Sequence, residues 1–526
     1  MTDDNKSAPG RRPNILLFFC DQLRGDAVGA LGNAIIRTPN LDRLCREGVA
    51  FTSAYTPSPV CIAARCSMHY GQYPHNTGCY ENTPMPTDGR QSFMDALRTA
   101  GYRTHGIGKC HFSPDSGALR GFQTRERQEE LVGSPQDDDY LLHLHENGFG
   151  HVCDPHGIRG EMYYVPQPSQ IPAELHPSQW VGDRSVAFVE QAAENDEPWF
   201  LFSSYVHPHP PFTPPNPWHK LYRAPLMPLP RVPADFESLL TFVNRVQNRY
   251  KYRDQGIDKN LLRCMKAYYY ACVSFVDYQV GRVLAALERT GQLDNTLIVF
   301  TADHGEHLGD YHCFGKRSMH DTAARVPLLV RSPREAGAAT VCDAPSSLVD
   351  IAPTFLAAAD ASLDSHALDG VDLLSLARGE TDREVVFGQL AYTEARDSDS
   401  IAANSSYMAV SREWKYFYSA PDDYECLFDR RRDPLETRNC AGLPLCQDAC
   451  EEMKRALLDH LREGGETAGI DDGDWKRFPV QTVPANPDAA LILQDHPWAD
   501  TSVPGYTSPG DPAPQSNSPF SVLGIS

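Results

Sequence analysis

The chain has 526 residues, of which 48 are Lys or Arg and 69 are Asp or Glu, so its formal net charge is −21. Hydrophobic residues make up 41% and aromatic residues 10%, which is enough for a sizeable buried core and excludes a disordered, collagen-like or coiled-coil protein. The acidic excess argues against a nucleic-acid or acidic-membrane binder, because phosphate groups require a basic surface. It does not exclude an anionic substrate, since one basic pocket can lie inside an acidic shell.

The apolar segments and the cysteines indicate a cytoplasmic protein. The longest apolar runs, such as residues 15–20, are far shorter than the ~20 residues that span a bilayer, and the N-terminus lacks the features of a signal peptide. We therefore expect no membrane partner. The 15 cysteines are scattered and odd in number, so a disulfide framework is not expected. Cys440, Cys446 and Cys450 lie close together without a nearby histidine, and we interpret them as ordinary thiols rather than a zinc site.

The first ~375 residues alternate short β-branched or aromatic runs with amphipathic stretches, which is the α/β pattern. The predicted strands are residues 15–19, 104–108, 199–205, 296–301 and 326–331. A long helix is predicted over residues 259–290, where apolar residues recur at helical spacing before Gly291. We therefore predict an α/β fold with a large mixed, mostly parallel sheet flanked by helices.

The pattern changes after residue 384. Short β-like runs at 385–390, 407–410, 415–419 and 425–429 precede a predicted helix at 447–463. These elements predict a smaller C-terminal α+β subdomain with an antiparallel sheet. The resulting division is a flexible N-terminus at 1–12, a catalytic domain at 13–380, the subdomain at 381–478 and a proline-rich tail at 479–526.

Polar side chains follow four of the predicted strands. In chain order, these strands lead into Asp21 and Gln22, into Lys109 and His111, into His209, and into Asp303 and His304. Asp and His after strands are also common turn formers, but ligands of open α/β sheets bind beyond the carboxyl ends of the strands. The combination of four such ends therefore predicts a site along one rim of the sheet.

The residue types at this rim favour a metal-assisted reaction of an oxyanion. Asp21, Asp303 and His304 suit a divalent cation, with oxygen ligands indicating Ca²⁺ or Mg²⁺ and the imidazole leaving Mn²⁺ open. Further cations and proton carriers would surround it, namely Lys109, His111, His209 and Lys316. Such a set fits an oxyanion whose leaving oxygen must be protonated.

A nucleophile is suggested by the segment Cys61-Ile62-Ala63-Ala64-Arg65. This segment resembles the Cys-x-Pro/Ala-x-Arg signature of the type I (formylglycine-dependent) sulfatases of the alkaline phosphatase superfamily. Other family motifs are matched over most of the first 375 residues. They include Gly108-Lys109-Cys110-His111, Pro208-His209-Pro210-Pro211-Phe212, Asp303-His304-Gly305-Glu306 and Gly315-Lys316.

The resemblance implies an alkaline phosphatase-like fold and a specific division of labour. Cys61 would be converted by a formylglycine-generating or radical-type maturation enzyme to 3-oxoalanine (formylglycine), whose hydrate attacks the sulfur of a small organic or carbohydrate sulfate ester. Ca²⁺, with Mg²⁺ or Mn²⁺ as alternatives, would be held by Asp21, Cys61, Asp303 and His304. Arg65 would orient the hydrate, while Lys109 and Lys316 neutralise the sulfuryl oxygens. His209 would protonate the leaving alcohol, and His111 would take a proton from the second hydroxyl to expel sulfate.

Three features depart from the commonest family pattern. Gln22 replaces a second acid, His304 replaces an asparagine, and Asn82 stands where the choline-sulfatase and phosphonate monoester hydrolase branches carry a substrate-contacting asparagine. We therefore predict Gln22 and Asn82 as substrate contacts, with local backbone capping as the alternative interpretation.

Two other functions remain open at this point. Phosphonate monoester hydrolases replace the Lys-x-His pair with neutral residues, so the intact Lys109 and His111 favour a sulfate monoester over a phosphonate monoester or phosphodiester. A non-catalytic protein with a relict pocket is the second alternative. The sequence leaves a homo-oligomeric assembly open.

Overall fold

The computed structural model describes residues 12–132, 134–159, 162–251, 258–333 and 339–484. The predicted flexible N-terminus up to residue 11 and the predicted tail after residue 484 lie outside the described residues. The strands are β1 Asn14–Asp21, β2 Val49–Phe51, β3 Ala54–Tyr55, β4 Arg103–Gly108, β5 Thr124–Arg127, β6 Trp199–Pro208, β7 Thr296–Ala302, β8 Leu328–Arg331, β9 Thr340–Cys342, β10 Ser346–Ser347, β11 Val386–Ala391, β12 Ser405–Val410, β13 Trp414–Ser419, β14 Tyr424–Asp429, β15 Ile470–Asp471 and β16 Asp474–Trp475.

The α-helices share the same chain-order numbering. They are α1 Pro39–Glu47, α2 Cys61–Tyr70, α3 Pro74–Thr77, α4 Phe93–Thr99, α5 Asp139–Glu146, α6 Pro177–Ala192, α7 Phe242–Lys251, α8 Lys259–Arg289, α9 Asp321–Ala324, α10 Ile351–Ala359, α11 Leu373–Ala377, α12 Ser398–Ala403 and α13 Gln447–Glu463. None of the helices in the described ranges combines the length and apolar character needed to cross a bilayer.

The largest sheet has eight strands in the order β5-β4-β6-β1-β7-β8-β2-β9. Strand β8 is antiparallel to both of its neighbours, and every other adjacent pair is parallel. All eight residues of β1 are buried, which is typical of a strand between two parallel neighbours with both faces covered. The predicted α/β class with a mostly parallel sheet is confirmed.

The predicted long helix is α8. It begins after Asp258, whose side chain accepts a hydrogen bond from the backbone N–H of Leu261 at 2.7 Å, and it ends two residues before Gly291. Gly291 has a φ of +69°, a conformation that glycine adopts without the steric cost of a Cβ. Helix α8 packs against α6 and α1 beside the large sheet.

The predicted C-terminal sheet is the antiparallel meander β11-β12-β13-β14. Side chains alternate between its two faces, as in any strand. On one face Met408, Phe417 and Phe428 join the core of the large sheet, while on the other Tyr416 and Leu427 pack with α13. Because this core is continuous, the smaller sheet forms one body with the larger one, and the predicted boundary at residue 380 stays a prediction.

Candidate functional site

The carboxyl ends of four parallel strands lie side by side at one edge of the large sheet. Asp21 is the last residue of β1, Lys109 follows β4, His209 follows β6, and Asp303 follows β7. The pairing of β1 with β6 shifts register between Cys20 and Asp21, so that Asp21 pairs with Pro208. All four side chains are almost fully buried, with at most 1% of each residue exposed.

The fifth contribution comes from the start of α2. Cys61 is the first residue of this helix and is fully buried. The N-terminus of a helix carries partial positive charge, which stabilises an anion at this position. Its sulfur lies 3.3 Å from His304 Nε2 and 2.9 Å from Lys316 Nζ. Cys61 therefore stands where the strand ends converge.

Asp21, Cys61, Asp303 and His304 form a compact donor set. One ligand atom of each lies within 4.8 Å of the others, and all four residues are buried. His304 Nδ1 faces the carbonyl oxygen of Gly305 at 3.0 Å, which places the proton on Nδ1 and leaves the Nε2 lone pair towards the cluster. Two carboxylates and one imidazole around residue 61 fit a divalent cation.

Arg65 neutralises the two carboxylates of this set. Its Nε lies 3.0 Å from Asp303 Oδ2 and its Nη2 lies 3.3 Å from Asp21 Oδ2, in a fully buried environment. Burial opposes ionisation of Asp21, but Lys109 and the other nearby cations hold its pKa well below the usual value. Burial and the charge of Asp21 raise the pKa of Asp303 to about 6.

Lys109 is aimed at the cluster by the glycine before it. Gly108 has a φ of +87°, and a Cβ there would lie 1.9 Å from the carbonyl oxygen of Ser204, so a larger residue would force the strands apart. Lys109 Nζ lies 2.6 Å from Asp21 Oδ2 and 2.6 Å from Glu130 Oε2. This lysine is therefore held between two carboxylates.

His111 lies two residues after Lys109, beyond the end of the same strand. Its backbone N–H donates to the carboxylate of Glu129 at 3.1 Å, and its φ is +54°. Within the described part of the chain its ring Nδ1 has no hydrogen-bond partner, and burial followed by the charge of Lys109 lowers its pKa to about 4. The ring is therefore neutral and able to accept a proton.

Lys316 connects the remaining predicted residues. In addition to Cys61, its Nζ contacts Gln22 Oε1 at 3.1 Å and His209 Nε2 at 3.2 Å. Burial and Asp21 raise the pKa of the Cys61 thiol, but Lys316, Lys109 and His304 outweigh them and bring it down to about 6. The site as a whole therefore favours a negative charge at residue 61.

Gln22 and Asn82 occupy different positions. Gln22 lies inside the cluster with a φ of +63°, and its backbone N–H donates to Asp303 Oδ1 at 2.9 Å. Asn82 Oδ1 accepts a hydrogen bond from the backbone N–H of Ile62 at 2.9 Å, so it caps the start of α2. The capping interpretation of Asn82 thus corresponds to an observed contact, and its substrate contact stays a prediction.

Sequence reasoning missed five residues of the site. Glu130 contacts Lys109 and Arg159, and Tyr163 lies with its hydroxyl 3.5 Å from His209 Nε2. Glu306 accepts hydrogen bonds from the Gln22 amide and from the hydroxyl of Tyr164, which orients the Gln22 oxygen towards Lys316. Glu306 belongs to a recognised motif and could have been proposed from it, whereas Glu130 and Arg159 carry no sequence signal.

Other conspicuous residues lie outside the site. The ring nitrogens of His207 share hydrogen bonds with the hydroxyl groups of Ser178 and Thr213, which gives this residue a structural role. Asp321 pairs with Lys415 of β13 at 2.7 Å. Tyr269 is buried on α8, and its hydroxyl donates to the carbonyl oxygen of Gln22 at 2.9 Å.

The chain is similar to sulfatases in sequence and to a phosphonate monoester hydrolase in structure. The family model described as "Sulfatase" matches residues 13–361, and the model "N-sulphoglucosamine sulphohydrolase, C-terminal" matches residues 309–463. An arylsulfatase of Clostridium perfringens is 31% identical over 493 residues, covering 90% of this chain and 99% of that protein. A choline-sulfatase of Rhizobium meliloti is 31% identical over 451 residues, covering 82% of this chain and 83% of that protein. The crystal structure of a phosphonate monoester hydrolase of Agrobacterium radiobacter has a TM-score of 0.73 at 25% identity, covering 88% and 98% of the two chains.

Proposed function

Because the chain belongs to the sulfatase family of the alkaline phosphatase superfamily, we propose that it hydrolyses a small organic or carbohydrate sulfate monoester to an alcohol and inorganic sulfate. The observation that carries this proposal is the position of residue 61. It begins a helix at the point where two carboxylates, an imidazole and a lysine converge in one buried cluster. That arrangement is suited to holding a nucleophile and a metal ion together.

The nucleophile requires a modification of Cys61. We propose that a formylglycine-generating enzyme converts Cys61 to 3-oxoalanine, whose hydrate carries two hydroxyl groups. A divalent cation, expected to be Ca²⁺, would lower the pKa of one of these hydroxyls and polarise the sulfuryl oxygens when bound. Asp21, Asp303 and His304 would hold the cation together with residue 61, and Arg65 would keep the two carboxylates in place.

The surrounding residues would neutralise the charge of the substrate and transfer the protons of the reaction. Lys109 and Lys316 would neutralise the sulfuryl oxygens, because both ammonium groups lie beside Asp21 or Cys61. His209 would give a proton to the leaving alcohol as the sulfur–oxygen bond breaks. His111, held neutral by burial, would take the proton of the second hydroxyl so that sulfate leaves and the aldehyde re-forms.

Sulfate release tests this proposal. The protein is produced together with a formylglycine-generating enzyme, and inorganic sulfate is measured with an aryl sulfate as substrate. Cys61→Ala should abolish turnover. Cys66→Ala is the matched control, because Cys66 is a buried thiol on the same helix whose pKa is raised by burial, and turnover should persist. Turnover by Cys61→Ala would overturn the mechanism.

A second candidate is hydrolysis of phosphonate monoesters or phosphodiesters. Gln22 and His304 favour it, together with the similarity to a phosphonate monoester hydrolase structure. Lys109 and His111 favour the sulfate ester. The ratio of kcat/KM for a phenyl sulfate and a matched phenyl phosphonate discriminates between them, and we expect the sulfate to be preferred.

Metal content and location have their own tests. Elemental analysis of the purified protein should give about one Ca²⁺ per chain, and the imidazole ligand makes Mn²⁺ the competing result. The cytoplasmic location is proposed because all 15 cysteines are unpaired, as expected in a reducing compartment. Fractionation of expressing cells checks it, with recovery outside the cytoplasm contradicting it.

A further inference from the structure

Glu130 is a buried carboxylate that the sequence motifs do not include. It follows strand β5 at an edge of the large sheet, in a segment with no recognised motif, and its side chain is only 5% exposed. Buried carboxylates are rare unless they are paired with cations. Glu130 has two such partners, Lys109 through Oε2 and Arg159 through Oε1. These two ion pairs do not explain why the carboxylate of Glu130 also lies beside His209, the predicted proton donor.

The geometry of His209 suggests an answer. Its Nδ1 lies 2.7 Å from the carbonyl oxygen of Pro210 and 3.4 Å from Glu130 Oε1. A carbonyl oxygen only accepts hydrogen bonds, and the carboxylate of Glu130 does the same when it is ionised. The proton of the neutral ring therefore belongs on Nδ1. On the other side, Nε2 lies 3.2 Å from Lys316 Nζ, a group that only donates. Nε2 therefore carries the lone pair and faces the cluster around residue 61.

The surroundings of His209 otherwise oppose a positive ring. It is 1% exposed, and the ammonium groups of Lys316 and Lys109 lie nearby. Burial and these cations disfavour the imidazolium form, while the carboxylate of Glu130 is the nearest negative charge on its Nδ1 side. The cations around Glu130 in turn keep it ionised, since they hold its pKa well below the usual value despite burial.

We propose that Glu130 is a positioning residue for leaving-group protonation: it fixes the Nδ1–H form of His209 and offsets the charge of the imidazolium that delivers the proton from Nε2. This inference rests on the proposed sulfate ester hydrolysis. One proton moves from Nε2 to the ester oxygen, and the electron pair of the broken sulfur–oxygen bond stays on that oxygen. The ring is left in its neutral Nδ1–H form, and Nε2 takes up a proton again from hydronium in the solvent, which receives the protons released by the nucleophile and by the sulfate product. Glu130 itself exchanges none.

Leaving-group dependence separates this role from a purely structural one. A series of substituted phenyl sulfates, from 4-nitrophenyl to unsubstituted phenyl, has a nearly constant shape but leaving groups of increasing basicity. General acid catalysis contributes about 10²–10⁴ in rate, mainly where the leaving group is a strong base. In Glu130→Gln we therefore expect kcat/KM for phenyl sulfate to fall about tenfold more than that for 4-nitrophenyl sulfate. Glu130→Asp, which keeps the charge, should recover part of this difference.

Two further variants sharpen the result. In a His209→Asn background, Glu130→Gln should add no further leaving-group dependence, because the group it acts through is gone. Glu129→Gln removes the neighbouring buried carboxylate, which bonds the backbone N–H groups of Cys110 and His111, and should affect all esters by a similar factor. Thermal unfolding of each variant reports whether it is folded.

The outcomes distinguish the two proposals. A uniform loss across the ester series in Glu130→Gln would mean that Glu130 acts through Lys109 and would overturn its role towards His209. Failure of the matured wild-type protein to hydrolyse any ester of the series would overturn the proposed function, and the role of Glu130 with it.

Discussion

Replacement of Arg65 by methionine should strongly destabilise the protein when metal is absent. The substitution removes two buried ion pairs, to Asp303 at 3.0 Å and to Asp21 at 3.3 Å, and a hydrogen bond to the carbonyl oxygen of Lys109 at 2.6 Å. Breaking a buried pair typically costs about 3–5 kcal/mol, because a charge stays buried without compensation. Here two carboxylates lose one shared partner, so we expect a loss in that range.

Arg43 provides a matched control on the protein surface. It also pairs with two carboxylates, Glu47 at 2.6 Å and Glu288 at 2.7 Å, but its side chain is 28% exposed. Exposed pairs contribute about 1 kcal/mol or less because water screens them and can replace them. Arg43→Met should therefore cost less than Arg65→Met, although its two carboxylate contacts are shorter.

Urea unfolding followed by circular dichroism measures both variants. The experiment is done with a chelator present, so that no bound cation replaces the missing guanidinium. A loss below about 1 kcal/mol for Arg65→Met, or a loss equal to that of Arg43→Met, would refute the reasoning that burial governs these pairs. Adding Ca²⁺ should then restore part of the stability of Arg65→Met through the two freed carboxylates.

Two further predictions concern acid stability and the start of α2. The ring of His69 lies among Phe93, Phe112 and Phe202. Among the described residues neither of its nitrogens has a hydrogen-bond partner, and burial lowers its pKa well below 6.5. Its stabilising contribution is therefore full above pH 6.5 and is lost as the pH falls below that value, since the unfolded chain then takes up the proton. His69→Phe should reduce the slope of unfolding free energy against pH below 6.5 by up to about 1.4 kcal/mol per pH unit, and an unchanged slope in urea titrations would contradict this. Asn82→Ala removes the cap on the Ile62 N–H and should cost about 1 kcal/mol, whereas Asn82→Asp should cost less; equal unfolding free energies for the two variants would argue against a capping role.

Much of the fold could be predicted because its central strands carry a strong and local signal. Strands β1, β6 and β7 are buried along their whole length, and each contains an apolar run of at least four residues, at 15–20, 199–202 and 297–300. The pattern of apolar runs does not predict the short strands at the edges of the sheet. Strand β5 has the sequence Thr-Arg-Glu-Arg and contributes only four residues at the sheet edge, so neither its composition nor its length marks it as a strand.

The candidate site was predictable to the extent that its residues sit at fixed offsets from strands or in family motifs. Glu130 could not be found in this way, because it ends a run of charged residues that is indistinguishable from a solvated surface segment. Only the three-dimensional contacts with Lys109 and His209 give it a distinct environment. The role of Asn82 could not be decided either, since capping and substrate contact favour the same residue type.

Formylglycine at position 61 is the central chemical requirement of the proposed reaction. Peptide mass spectrometry with an aldehyde-reactive hydrazide gives the converted fraction of Cys61 in preparations made with and without a formylglycine-generating enzyme. Sulfate release from an aryl sulfate is measured on the same preparations. We expect the rate of release to rise in proportion to the converted fraction and to vanish where Cys61 is an unmodified thiol. Equal release by the unconverted protein would contradict the mechanism.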